Sequence, residues 1–91
     1  MRHTVKFAGA FKKNRKLMET RGFDLSLLNV VIEMLANGEQ LDPKYRNHRL
    51  SGKFKGLMEC HIESDWLLVY LIDNKTNVLT LVNTGTHSDL F

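Results

Sequence analysis

The 91-residue chain predicts an α+β domain: an N-terminal helical hairpin packed on a small, mainly antiparallel sheet, in the order β-α-α-β-β-β. Three observations lead there. Apolar residues recur at helical spacing through the first forty residues. From residue 54 onward, apolar runs of strand length alternate with turn residues. A chain of this length, 43% hydrophobic and 25% charged, builds one small core and has no room for a second, so one domain covers residues 1–91.

Thr4-Val5-Lys6-Phe7 reads as a short opening strand. Residues 8–21 read as a helix, with Phe7, Phe11 and Met18 near one face and the lysines on the other. Gly22 stops it, because glycine takes the left-handed conformation after a last helical turn. Asp24 can cap the next helix by accepting from its free N–H groups. That helix spans about 25–37, with Leu25, Leu28, Val31, Ile32 and Leu35 as its apolar stripe and Gly38 as its end. The link between the two helices is short enough to force an antiparallel hairpin.

Residues 39–53 show no period, and Asp42-Pro43 marks a turn. Phe54 to Ile62 is a strand candidate. Trp66 to Ile72 is apolar on both parities, as expected of a central strand covered on both faces. Asp73-Asn74-Lys75-Thr76-Asn77 is turn chemistry, and Val78 to Asn83 is the last strand.

Antiparallel pairing then places the chemistry. With 73–77 as the loop, Ile72 lies opposite Val78 and Trp66 opposite Thr84. A tight turn at Ser64-Asp65 sets His61 near Leu68 and Glu63 near Trp66. Both hairpins deliver residues to one end of the sheet, so His61, Asp65, Trp66 and Gly85-Thr86-His87 converge there. His48 lies in the aperiodic segment, beyond the reach of this argument. Histidines beside an aspartate suit proton transfer, because imidazole titrates near neutral pH and can serve as acid or base.

Charge is segregated. Residues 1–21 hold seven Lys/Arg and one acid, and residues 44–55 hold five Lys/Arg and no acid. The segments between and after them are acidic, leaving a net charge of +3. Two basic blocks on a small protein favour a polyanionic partner. Arg46, Arg49, Lys53 and Lys55 adjoin the histidines, and cations beside acid–base groups suit a phosphodiester, whose oxygens gain charge in the transition state. A zinc site is the weaker reading of the same histidines, because no two sit at a compact ligand spacing. A single cysteine, Cys60, excludes an intrachain disulfide framework and fits a reducing cytoplasm. No apolar run approaches a membrane span, and the first residues lack a secretion signal.

Four segments together carry a resemblance. His48-Arg49-Leu50-Ser51-Gly52-Lys53-Phe54-Lys55-Gly56, Glu59-Cys60-His61, Asp65-Trp66-Leu67-Leu68-Val69-Tyr70 and Thr84-Gly85-Thr86-His87-Ser88-Asp89-Leu90-Phe91 are similar to the YafQ-type toxins of the RelE superfamily, ribonucleases of type II toxin–antitoxin systems. The resemblance implies a RelE-like fold and a cytoplasmic endoribonuclease that cleaves mRNA on the ribosome by acid–base catalysis, with no metal and no cofactor. It implies a cognate antitoxin of the DinJ or RelB type, with operator DNA engaged only through that antitoxin. Position by position, it implies His48, His61, Asp65 and His87 as the acid–base group, with Trp66 and Phe91 shaping the substrate site. His87 is the expected general acid, and Asp65 or His61 the base or its orienting partner. Relatives often carry an arginine where this chain has Asn83, so phosphate binding is expected to fall to Lys53, Lys55, Arg46 and Arg49. The alternative is a catalytically silent relative that serves only as a binding partner and co-repressor of its antitoxin. A zinc hydrolase is a distant third.

Overall fold

A computed structural model describes residues 2–91. The chain runs β1 (Thr4–Phe7), α1 (Gly9–Thr20), α2 (Leu25–Ala36), β2 (His48–Arg49), β3 (Met58–Glu63), β4 (Trp66–Asp73), β5 (Val78–Gly85) and α3 (His87–Leu90). The five strands form one sheet in the order β1-β5-β4-β3-β2. All neighbours are antiparallel except β1, which lies parallel to β5. β4 is the central strand, as its apolar run on both parities predicts.

Local chemistry explains the helices. Ala8 begins α1 without a side-chain cap, and Gly22, at φ +90°, ends the turn that follows it. The Asp24 carboxylate accepts from the Ser26 N–H at 3.0 Å and caps α2. Phe11 and Met18 of α1 and Leu28, Val31, Ile32 and Leu35 of α2 pack against alternate strand residues: Cys60 and Ile62, then Trp66, Leu68 and Tyr70, then Leu79 and Leu81. The helices therefore cover one face of the sheet. Phe7 packs at the margin of that core, its ring centroid 5.9 Å from that of Phe11. It lies on β1, 43% exposed, with the Arg15 guanidinium 5.8 Å from its ring centroid.

The structure departs from the expected layout in four places. The aperiodic segment contains a 3₁₀ turn at Pro43–Tyr45 and the edge strand β2, so His48 belongs to the sheet. The strand expected from Phe54 starts at Met58, because Gly52–Phe54 forms a 3₁₀ turn and Gly56 turns the chain at φ +96°. Residues 87–90, unassigned by periodicity, form α3. The register is also displaced. Asp73, not Ile72, faces Val78, since Asp73 ends the strand and its carboxylate accepts from the Lys75 and Thr76 N–H groups to cap the turn. Val82 is then an extra residue in β5, so Leu68 rather than Trp66 faces Thr84. In β3, a bulge at Ile62 leaves His61 opposite Leu67 rather than Leu68, while Glu63 faces Trp66 as expected.

Candidate active site

Residues two apart on a strand share a face, so Glu59 and His61 project together from β3 while Cys60 and Ile62 enter the core. His48 on β2 is paired directly with Glu59. Its Nε2 lies 3.4 Å from Glu59 Oε1, and His61 Nε2 lies 3.7 Å from the same oxygen. Glu59 is buried at 4% exposure, a carboxylate placed between two imidazoles. His48 Nδ1 is 2.7 Å from the carbonyl of Arg46. A carbonyl only accepts, so Nδ1 carries the proton, and Nε2 is the nitrogen free to exchange one toward Glu59. The Tyr70 hydroxyl donates to Asn47 and holds the segment that leads into His48.

His87 enters from the other hairpin. Asp65, in the β3–β4 turn, accepts from the His87 backbone N–H at 3.0 Å and lies 2.8 Å from Nδ1 through the same Oδ1. Those bonds, the backbone one first, hold the Asp65 carboxyl below the usual carboxylate range. The ionised oxygen accepts, so Nδ1 donates and Nε2 is the nitrogen left open to a substrate. The His87 and His61 ring centroids are 5.8 Å apart, and those of His61 and His48 are 6.3 Å apart. The structure thus brings His48, His61, Asp65 and His87 together at one end of the sheet, with Glu59 among them.

Glu59 escaped the sequence reading, although its position two residues before His61 on a strand was a usable signal. Glu59, His61 and His87 each offer a ligand atom, all within 4.8 Å of one another, a spacing that could hold a metal ion. The neighbouring Cys60 is unsuited to join them, because burial pushes its thiol up to about 12.

The flanking residues divide. The Phe91 ring stacks edge-on against Phe54 at 5.1 Å and lies 6.5 Å from the His87 ring, so Phe91 walls the site. The Lys53 ammonium lies 5.3 Å from the Phe54 ring centroid on that side. Arg46 lines a cavity of about 200 Å³ with Lys44, His61 and Glu63. Arg49 and Lys55 line another, of about 360 Å³, with Ser51 and Met58. Trp66 differs from expectation. It is fully buried, its indole N–H donating to the Thr84 hydroxyl at 3.0 Å and its ring edge-on to Phe23, so it supports the site from the core and has no surface to offer a substrate. At Asn83, the side-chain oxygen accepts from Asn14 at 2.7 Å and from the Thr84 N–H at 2.9 Å. It is tied to α1 and offers no charge to a phosphate.

Comparison with known proteins bears on the family and the fold. The mRNA interferase toxin YafQ of Escherichia coli K12 is 34% identical over 88 residues, covering 96% of this chain and 94% of its own. The crystal structure of the E. coli DinJ–YafQ toxin–antitoxin complex contains a chain of 32% identity and TM-score 0.91, matched over 100% of this chain and 99% of that one. A metal-bound toxin from Helicobacter pylori is 44% identical with TM-score 0.91, over 98% of this chain and 99% of its own. The family model describing the YafQ bacterial toxins of type II toxin–antitoxin systems matches residues 3–91, and with the whole fold shared, the chain belongs to that family.

Proposed function

We propose that this protein is an mRNA interferase, a ribosome-dependent endoribonuclease neutralised by a DinJ-like antitoxin. The observation that carries the reading is the pairing of His87 with Asp65 beside the Glu59–His61–His48 group. An acid and a base stand a few ångströms apart, flanked by Arg46 and Lys53. The reaction that fits is attack of a ribose 2′-hydroxyl on the adjacent phosphorus. The 2′-O–P bond forms and the P–O5′ bond breaks, giving a 2′,3′-cyclic phosphate and a free 5′-hydroxyl. The proton of the 2′-hydroxyl passes to His61 or His48, each backed by Glu59. His87 delivers a proton to the departing 5′-oxygen, with Asp65 fixing the tautomer and direction of its ring. Arg46 and Lys53 offset the charge that grows on the phosphoryl oxygens, while Arg49 and Lys55, which line the separate cavity beside Met58, add to the field that draws RNA to this side.

The antitoxin carries an acidic or amphipathic segment that engages the basic surface, and operator DNA is contacted through the antitoxin. No helix among the described residues is long and apolar enough to cross a membrane. A cytoplasmic protein is the reading that action on ribosomes supports. Mapping mRNA 3′ ends after induction tests the reading: cleavage ending in cyclic phosphate is expected from the native chain and not from His87→Ala. The amide at Asn83 is the feature that favours the alternative, a silent partner and co-repressor. Absence of growth arrest and of new 3′ ends on induction without antitoxin would establish that alternative.

A further inference from the structure

His87 stands in the first turn of a four-residue helix that buries none of its own side chains. Its aim has to come from outside α3. Asp65 takes the imidazole and the His87 N–H. The preceding residue is taken by Asp89, whose Oδ2 accepts from the Thr86 N–H at 2.9 Å and the Thr86 hydroxyl at 2.9 Å. The same Oδ2 accepts from the Arg21 guanidinium at 2.8 Å. Arg21 is the residue that closes α1, its N–H already bonded to the carbonyl of Leu17. Among the described residues, this is the one ion pair that joins α3 to the helical layer. The space is tight: a Cβ built on Gly85 would sit 2.9 Å from Asp89 Cβ, so the carboxylate is pressed against the strand end from which His87 departs.

We propose that Arg21 is a positioning residue for His87, acting through Asp89 and Thr86 as a clasp between the end of α1 and the start of α3. The clasp and Asp65 hold consecutive backbone amides, Thr86 by one carboxylate and His87 by another, so neither alone fixes the peptide that carries the imidazole. Arg21 touches no reacting atom. Its loss leaves the core intact and frees the segment whose placement sets the rate, where a misplacement of about 1 Å can cost ~10²-fold.

The inference rests on the catalytic reading of His87, and its test has two readouts that separate them. In ribosome-dependent cleavage, Arg21→Gln and Asp89→Asn should each lower kcat roughly 10- to 100-fold with KM nearly unchanged. The double variant should be no worse than either single one, and Arg21→Lys should recover part of the rate. In the free protein, Arg21→Gln should speed hydrogen exchange at the Thr86 and His87 amides while the exchange of β4 amides stays as in the parent. Unchanged exchange at both amides, an unchanged kcat, or a loss confined to KM would overturn the proposal. An inactive parent whose Thr86 and His87 amides still loosen in Arg21→Gln would refute the ribonuclease reading and leave the clasp standing.

Discussion

Asp65 performs two tasks at His87 with one oxygen: it receives the backbone amide, which places the residue, and the imidazole, which sets the tautomer. Asp65→Asn keeps an acceptor but removes the carboxylate that fixes the tautomer and direction of the ring, so kcat should fall on the order of 10²-fold with the fold retained; single-turnover cleavage beside a thermal melt checks it. A parent-like rate would remove Asp65 from the mechanism. Glu59→Gln should also reduce cleavage. Its effect should overlap with that of His61→Ala rather than multiply with it, since both act on the same proton. Low pH reads a different residue. The Arg21 guanidinium, then the Thr86 N–H, hold the Asp89 carboxyl down to about 2, against an ordinary value of 3.8. A depressed folded value means the stabilisation of α3 is fully present above about pH 4 and is lost as the pH falls from there toward 2. Exchange at the Thr86 amide, followed from pH 5 to pH 2, should show the clasp released over that interval. The sequence reading reached His61, Asp65 and His87 by hairpin geometry. It passed over Glu59, whose spacing from His61 put the two on one face, because an acid on an alternating strand looks like an ordinary solvent-facing residue until its burial is known.

At the scale of elements, the central place of β4 and both long helices were legible because each holds a period over several turns or pairs. The register was not. Asp73 extends β4 by one residue and Val82 adds one to β5, and neither leaves a mark in hydrophobic alternation. The convergence survived because both displacements act within the hairpin that delivers residues 85–87. α3 was illegible for another reason: four residues hold barely one turn, too few for any periodicity, and its capping box of Thr86 and Asp89 is apparent only once the helix is known. That element hangs on Gly85. Gly85→Ala would drive a methyl to 2.9 Å from Asp89 Cβ, at a φ of +158° that side chains rarely adopt. The variant should fold, since β3, β4 and the helical layer are untouched, and should lose at least tenfold in cleavage by displacing His87. Circular dichroism with a cleavage assay checks both halves; a folded Gly85→Ala protein with full activity would show that α3 tolerates displacement.

For the whole molecule, charge decides encounter. Two basic blocks, with Arg46, Arg49, Lys53 and Lys55 in the second, should make association with ribosomes fall steeply with salt. Lys53→Ala with Lys55→Ala should flatten that dependence, measured as binding at several ionic strengths. Binding that is indifferent to both substitutions would return the block to an ordinary solvated loop. Copper or zinc ions should inhibit by occupying Glu59, His61 and His87, and EDTA followed by restored ribosomal magnesium should return activity, read as cleavage before and after each addition. The parallel pairing of β1 with β5 has a consequence for synthesis. Thr4 meets Val78 and Phe7 meets Leu81, so the first strand made waits for the last, and a contact so remote in sequence is slow to close. β4, β5 and the segment that carries His87 are all made after the helical hairpin and both edge strands. Until β5 and residue 87 are made, the nascent chain has neither a closed sheet nor the His87–Asp65 pair. Chains arrested before residue 78 should be cut readily by protease and leave mRNA intact; a protease-resistant arrested chain would contradict this order of assembly.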